Sequence, residues 1–252
     1  MQQLETYAEI FQRRGEDYHQ AMRRCPEARR EEFRAILSRA RPQRDEVMLD
    51  IPSGGGYMAY YMEGELPKLV FMETTEAFFR HCPAGYRMQR QLGELDALPM
   101  DDATIDVAVS LAGSHHLADF EVVWREIYRV LKPGGRFIWA DVRANSNIGT
   151  FLNSFVNQHN STGHTGRFVD DERMSELTAA GFVVDVAEDV AYPWRFDCRE
   201  EMGNFVQQLF GLDLADLPTI IDGVERILGV KDTADGIEMN WALHFVTAGK
   251  PA

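Results

Sequence analysis

With 252 residues, 45% of them hydrophobic and 26% charged, the chain has ordinary globular proportions, which exclude a disordered or fibrous protein and suit one α/β core with helical additions. Forty acidic side chains against 26 basic ones leave a formal charge of −14, a sign that repels phosphate backbones and anionic lipid headgroups, so neither nucleic acid nor membrane is expected as a partner. No apolar run reaches the ~20 residues that cross a bilayer, and the opening MQQLETYAEIFQRRGEDY lacks the apolar core of a signal peptide, so the protein reads as cytoplasmic.

In chain order, Leu4, Tyr7, Ala8, Phe11, Tyr18 and Met22 recur at helical spacing, followed by Phe33, Ile36, Leu37 and Ala40. Two amphipathic helices are therefore predicted, forming an N-terminal cap over residues 1–44. Arg41 to Arg44 is a polar break, after which EVMLDI reads as a buried strand running into Ser53, Gly54, Gly55 and Gly56. Strand and helix then alternate: LVFME, a helix from Thr75 to His81, TIDVAVSL, a helix from Phe120 to Leu131, and GRFIWADV. Such alternation needs crossover connections, which give a parallel sheet covered on both faces.

Lys132, Pro133, Gly134 and Gly135 fit a helix stop and turn, and Asp106 reads as a residue that positions backbone. Further on come the helix DDERMSELTAAGF, the strand FVVDVAEDV, and helices from Asp197 to Phe210 and from Asp213 to Leu228. Asp197 and Glu200 stand in capping-box spacing at the start of the first of these. MNWALHFVTAG alternates as a final strand, so residues 45–252 are expected to be one domain with a helical insertion at about 193–236. Cys25, Cys82 and Cys198 lie far apart without CxxC or CxxH spacing, which supports neither a disulfide framework nor a structural zinc site.

Asp50, Gly54 and Gly56 sit where the first strand turns, and glycines there let backbone N–H groups approach a ligand while a helix start favours anionic atoms. A tight turn without a ligand fits the same residues. Glu73, 19 residues past Gly54, closes the next strand, from which a carboxylate can accept both ribose hydroxyls. The two features together describe an adenosine site. Gly54, Gly56 and Ala59 also satisfy the GxGxxA dinucleotide pattern, so NAD stays open on these residues.

The stretch GELDALPMDDATIDVAVSLAGSHHLADFEVVWREIYRVLKPGGRFIWADV, Gly93 to Val142, closely resembles class I S-adenosylmethionine-dependent methyltransferases of the ubiquinone and menaquinone biosynthesis type. The shared features are an acidic residue shortly before Leu-Pro, an Asp in the fourth strand, a His-His near its end, and Arg-Val-Leu-Lys-Pro-Gly-Gly before the fifth. Asp50 to Gly56 matches the first motif of that family, except that Pro52 stands where the family has its first glycine.

The resemblance implies a Rossmann-like α/β fold: a doubly wound, mostly parallel seven-stranded sheet with an antiparallel last strand under a helical cap. It implies methyl transfer from S-adenosylmethionine to an oxygen, nitrogen or carbon of a small-molecule acceptor. Asp50, Gly54 and Gly56 would lie along the methionine part, Glu73 would hold the ribose with Thr74 beside it, Glu94 would face the adenine amino group next to the Leu95 backbone, and Ser110 would end the fourth strand by the sulfonium. Two other chemistries stay open: cyclisation or rearrangement with the same cofactor, and nicotinamide-dependent oxidation.

A methyl donor of this kind is already activated, so alignment and exclusion of water matter most and no metal is required. Where the acceptor is a phenol, enol or amine, His115 and His116 are the candidate bases, while His164, in STGHTG, reads as an exposed loop histidine. For the acceptor, Tyr7, Tyr18, Trp194 and Phe196 could line an apolar pocket, with Arg143, Arg167 or Arg195 pairing with a carboxylate. Tyr18, Arg143, Trp194 and Arg195 are the stronger candidates, and Tyr7 and Phe11 read as packing.

Overall fold

The computed structural model describes residues 7–252, so the Leu4 position predicted for the first helix lies outside the described residues. The N-terminal region forms helices α1 (Tyr7–Arg24) and α2 (Arg30–Ala40). Strands β1 (Val47–Asp50), β2 (Lys68–Glu73), β3 (Met88–Leu92), β4 (Ile105–Leu111) and β5 (Leu131–Asp141) then pair in parallel, with β1 between β2 and β4. Two helices fall within this series, α3 (Glu76–Phe79) and α4 (Phe120–Val130), capped by Thr75 and Asp119, whose side chains accept from the N–H of Phe78 and of Val122.

Beyond β5 come α5 (Asn147–Thr150), a π-helical turn (Phe151–Val156), α6 (Asn157–His159), α7 (Asp171–Ala179) and β6 (Val183–Phe196). Last are α8 (Arg199–Phe210), α9 (Leu217–Ile227), β7 (Val230–Thr233) and β8 (Gly236–Gly249). The full order is β3-β2-β1-β4-β5-β8-β6, with β8 antiparallel to both β5 and β6.

The predicted sheet is present with one correction: among the described residues it has eight strands, because the short β7 forms a hairpin with β8. VKDT is only four residues long and mostly exposed, so it carries no burial pattern to read. Residues 147–159, for which no element is predicted above, are helical and include a π turn, which breaks the 3.6-residue repeat. The Asp197–Glu200 capping box is not formed. Helix α8 starts at Arg199, and the Asp197 N–H instead donates to Glu201 Oε2 at 2.8 Å.

Alternate residues of the central strands face opposite layers. Leu49, Val70, Ala108 and Phe137 pack with Trp124, Ile127 and Leu177 of α4 and α7. Met48, Phe71, Val107 and Ile138 pack with Phe33 and Ile36 of α2 and with Phe205 and Leu209 of α8. Full burial of each such side chain is worth about 1.5–3 kcal/mol. Between β4 and β5 the register jumps from Ile105 opposite Leu131 to Val107 opposite Arg136, so Lys132 to Gly135 bulge outward. Lys132 Nζ reaches both Asp106 oxygens at 2.7 and 2.8 Å, and Asp106 also accepts the Val47 N–H.

Helix α1 comes close to α3 at Gly15, where a Cβ would lie 2.8 Å from that of Ala77. This approach turns Tyr7, Ile10 and Phe11 onto Phe78, a small apolar cluster with Tyr18 at its side. Helix α1 thus sits over the carboxyl ends of β1, β2 and β4, where open α/β sheets bind ligands.

Candidate functional site

At the end of β1 the chain passes Asp50 and a cis Ile51–Pro52 bond, then Gly54, Gly55 and Gly56 at φ 58°, 96° and 71°. A Cβ at Gly56 would lie 2.6 Å from Pro83 and 3.1 Å from Phe71, whereas nothing comes within 4 Å of one at Gly54. Gly56 is thus fixed by packing and Gly54 borders open space. The turn leads into a five-residue 3₁₀ helix (Tyr57–Tyr61) and not into an α-helix. The helix N-terminus that holds a pyrophosphate in dinucleotide sites is therefore missing at this turn, which removes the structural basis of the NAD reading.

Glu73 closes β2 and is fully buried. Its Oε1 accepts from Ser53 Oγ at 2.9 Å and from the Gly55 N–H at 3.2 Å, and Oε2 faces Tyr7 Oη at 3.5 Å. Burial pushes its pKa up to about 7 against these donors. Asp50 is raised as well, by burial first and by Glu73 second. Around this pair lie Asp50 Oδ2, Thr74 Oγ1 and Ser110 Oγ, all buried and without a hydrogen-bond partner. Buried polar atoms are paired in the great majority of cases, so three orphans at the ends of β1, β2 and β4 indicate a polar ligand between them.

The predicted adenosine-side residues are brought to this edge. The Gly93 N–H donates to the Glu73 carbonyl at 2.9 Å, which ties the segment carrying Glu94 and Leu95 to the end of β2; Glu94 is exposed and Leu95 buried. Tyr18 belongs to the aromatic roof, 5.2 Å from the Phe78 ring centroid, with its hydroxyl accepting from Arg29.

A second group lies at the ends of β4 and β5. His115 Nδ1 is 2.6 Å from Asp141 Oδ1, and Asp141 also accepts from Ser114 Oγ, the His115 N–H and the Val142 N–H. Burial would raise Asp141, but these donors outweigh it and hold the carboxyl below its usual range. Ser114 is fixed in turn by the Trp139 indole N–H at 2.7 Å. The carboxylate therefore sets the His115 tautomer, with the proton on Nδ1 and the lone pair on Nε2.

His164 is only 8% exposed, which corrects its reading as an exposed loop histidine. Asn153 pins the loop: its Oδ1 accepts the Gly166 N–H at 2.7 Å and its Nδ2 donates to the Gly166 carbonyl. With that amide oriented, His164 Nδ1 must donate to Oδ1 at 3.0 Å, again leaving Nε2 free. The Arg167 N–H closes the loop onto the His115 carbonyl. The rings of His115, His116 and His164 have centroids 4.2 to 5.6 Å apart, and His116 packs edge-on against Phe11. Burial, aided by the neighbouring imidazoles and by Arg14, lowers His116 well below its ordinary value; burial, His115 and Arg14 do the same for His164.

The acceptor-side candidates divide. Trp194 is core, stacked 4.3 Å from Trp241 with its indole N–H on Glu32 Oε2 at 2.8 Å, and Phe196 packs on Phe205. Arg195 points to the surface and pairs with Glu31 and Glu238. Arg143 follows β5, half-buried, 3.4 Å from His244 Nε2. The Arg167 guanidinium binds the Ala118 carbonyl. Sequence reasoning missed Asp141, Asn153 and Ser53. Of these, Asp141 carried a signal, since it ends a parallel strand on the ligand-binding edge.

Fold and site together define an α/β protein with buried, unpartnered polar atoms at the carboxyl edge of its sheet. Residues 49–139, just over a third of the chain, match the family described as methyltransferase domain, so this stretch is similar to methyltransferases. Over 109 residues it is 29% identical to the phthiotriol/phenolphthiotriol dimycocerosates methyltransferase of Mycobacterium tuberculosis, covering 41% of this chain and 40% of that one. Over 107 residues it is 30% identical to the ubiquinone/menaquinone biosynthesis C-methyltransferase of Rubrivivax gelatinosus, covering 42% and 43%. The chain thus spans about two fifths of the length of these curated relatives. The YcgJ protein of Bacillus subtilis shares the fold with a TM-score of 0.65 at 18% identity, over 88% of this chain and 99% of that one. A geranyl diphosphate methyltransferase that shares the fold is solved in complex with S-adenosylmethionine, and the orphaned atoms beside Glu73 fit that cofactor. Among the described residues no helix is long and apolar enough to cross a membrane.

Proposed function

We propose that this protein transfers the methyl group of S-adenosylmethionine to a small-molecule acceptor. The observation that carries the reading is the set of unpartnered buried atoms, Asp50 Oδ2, Thr74 Oγ1 and Ser110 Oγ, beside a carboxylate with acceptor capacity left at Oε2. When bound, the cofactor supplies an activated methyl on sulfur. The chain's own part is to hold and align it. Glu73 takes the ribose hydroxyls, Asp50 the methionine amino group, and the Glu94–Leu95 segment the adenine edge. Tyr7 and Phe11 roof the space and exclude water, which strengthens every polar contact below.

The acceptor lies on the imidazole side of this roof, because Phe11 touches both Phe78 above Glu73 and His116. A hydroxyl or amine placed there loses its proton toward the Nε2 lone pair that Asp141 keeps on His115, with the buried His116 and His164 neutral beside it. Tyr18 is the remaining acceptor-side candidate on that roof.

The test is incubation of the full chain with methyl-labelled S-adenosylmethionine and a panel of small phenols, enols and amines. Label in a product, with one S-adenosylhomocysteine per methyl, is the expected result. Consumption of an acceptor with no label in any product would favour the cyclisation or rearrangement chemistry instead.

A further inference from the structure

Three imidazoles are gathered under α1. One ring nitrogen from each of His115, His116 and His164 lies within 4.8 Å of the other two. Both Nδ1 atoms with known partners are occupied, by Asp141 and by Asn153, so Nε2 is what His115 and His164 offer. The rings are mutually inclined, at 47°, 46° and 74°.

Two of these histidines carry the outer contacts that metal-binding histidines carry: a carboxylate on one and an amide carbonyl on the other, each fixing tautomer and ring orientation. The cluster is also rigidly supplied. Asp141 is fixed by four donors, and Asn153 sits in the π-helical turn, an irregularity common at functional sites. A proton-transfer role needs one imidazole; it leaves the convergence of the other two unexplained.

We propose that His115, His116 and His164 form a site for one divalent first-row transition metal, zinc in the first instance, with its open position toward the acceptor. Zinc with three histidine ligands and one exchangeable position is a catalytic arrangement, and imidazole suits zinc, cobalt and nickel alike. Zinc–nitrogen bonds of about 2.0–2.1 Å require nitrogens roughly 3.3 Å apart, so the cluster closes by a small amount on loading. The proposal rests on the methyl-transfer reading for its purpose and on geometry alone for its existence. It narrows the acceptor to one with an ionisable oxygen or a nitrogen that can enter the open position. With the His115 Nε2 lone pair engaged by the metal, that nitrogen no longer serves as the base, and a hydroxyl in the open position gives its proton to solvent at neutral pH. Its oxygen pair then forms the bond to the methyl carbon, and the carbon–sulfur pair stays with sulfur.

The experiment is a titration of the chelator-stripped full chain with cobalt(II), followed by visible absorption, with calorimetric binding of S-adenosylhomocysteine measured on the same samples. One equivalent of cobalt should give an intense tetrahedral-type band. His116→Gln and His164→Gln should weaken it by at least about 100-fold, and Asn153→Ala by roughly 10–100-fold, with S-adenosylhomocysteine affinity unchanged in all three. No band at millimolar cobalt in wild-type protein that binds S-adenosylhomocysteine would overturn the site and leave the methyl-transfer reading intact. A band undiminished in both histidine variants would overturn it too. Cobalt binding without S-adenosylhomocysteine binding would support the metal site and count against the function. Should one variant fail to fold, the wild-type spectrum and the other variant still decide.

Discussion

The donor edge and the imidazole cluster both stand at the carboxyl ends of parallel strands, yet they are built differently. The donor edge takes Asp50, Gly54, Gly56 and Glu73 from a single strand–turn–strand unit, and every one of them lies within 24 residues of the others. The cluster draws His115 from the end of β4, Asp141 from β5, Asn153 from a helix after it and His164 from a loop beyond. Local units impose their geometry through backbone conformation, here three successive glycines with positive φ. A site gathered from distant segments depends on what packs around it.

The largest effect that separates the two halves concerns stability. Trp194 was a candidate for the acceptor pocket and is instead core, so Trp194→Ala should cost about 3–5 kcal/mol in chemical denaturation. A change below about 1 kcal/mol would return Trp194 to the pocket.

Next comes pH. The Glu73 carboxyl is raised to about 7 in the folded protein and ordinary when unfolded. The folded state therefore binds the extra proton between about pH 4.5 and 7. Its contribution is fully present below about pH 4.5 and is lost as pH rises through 7, by up to about 3 kcal/mol. Denaturation of ligand-free protein across that window should show this loss, and Glu73→Gln should flatten it. Equal slopes in the two proteins would show that Glu73 is not held in its buried state.

A smaller effect sharpens the contrast from the other side. Asp141→Asn should lower turnover roughly 10–100-fold by disturbing the His115 tautomer, while S-adenosylhomocysteine affinity stays within about twofold. Loss of both together would mean that the cluster and the donor edge are one site. The smallest effect is expected at Arg195: its ion pairs with Glu31 and Glu238 are half-exposed, so Arg195→Ala should change stability by at most about 0.5 kcal/mol and leave the acceptor KM unchanged.

The same contrast explains what could be read in the chain. The central strands and the four helices that border them were legible from period, because buried parallel strands and amphipathic helices state their surroundings in their own residues. Glu73 was legible from its distance to the glycines. The five-residue 3₁₀ helix after Gly56 was not, since the turn residues do not say how far a helix continues. Nor was the burial of His164, which depends on Asn153 reaching across eleven residues to hold the loop. Trp194 and Arg195 show the limit of reading neighbours as a pair. On a strand they face opposite sides, one into a stack with Trp241 and the other into surface carboxylates.

The central claim is that Glu73 and Asp50 hold an adenosyl cofactor at the ends of β2 and β1. Calorimetric titration with S-adenosylhomocysteine tests it directly, on wild-type protein and Glu73→Ala side by side. The account predicts a single site in the wild type and a loss of at least about 100-fold in the variant, as two hydrogen bonds to a charged acceptor disappear. Absence of heat at millimolar ligand, or equal affinity in the two proteins, would contradict it.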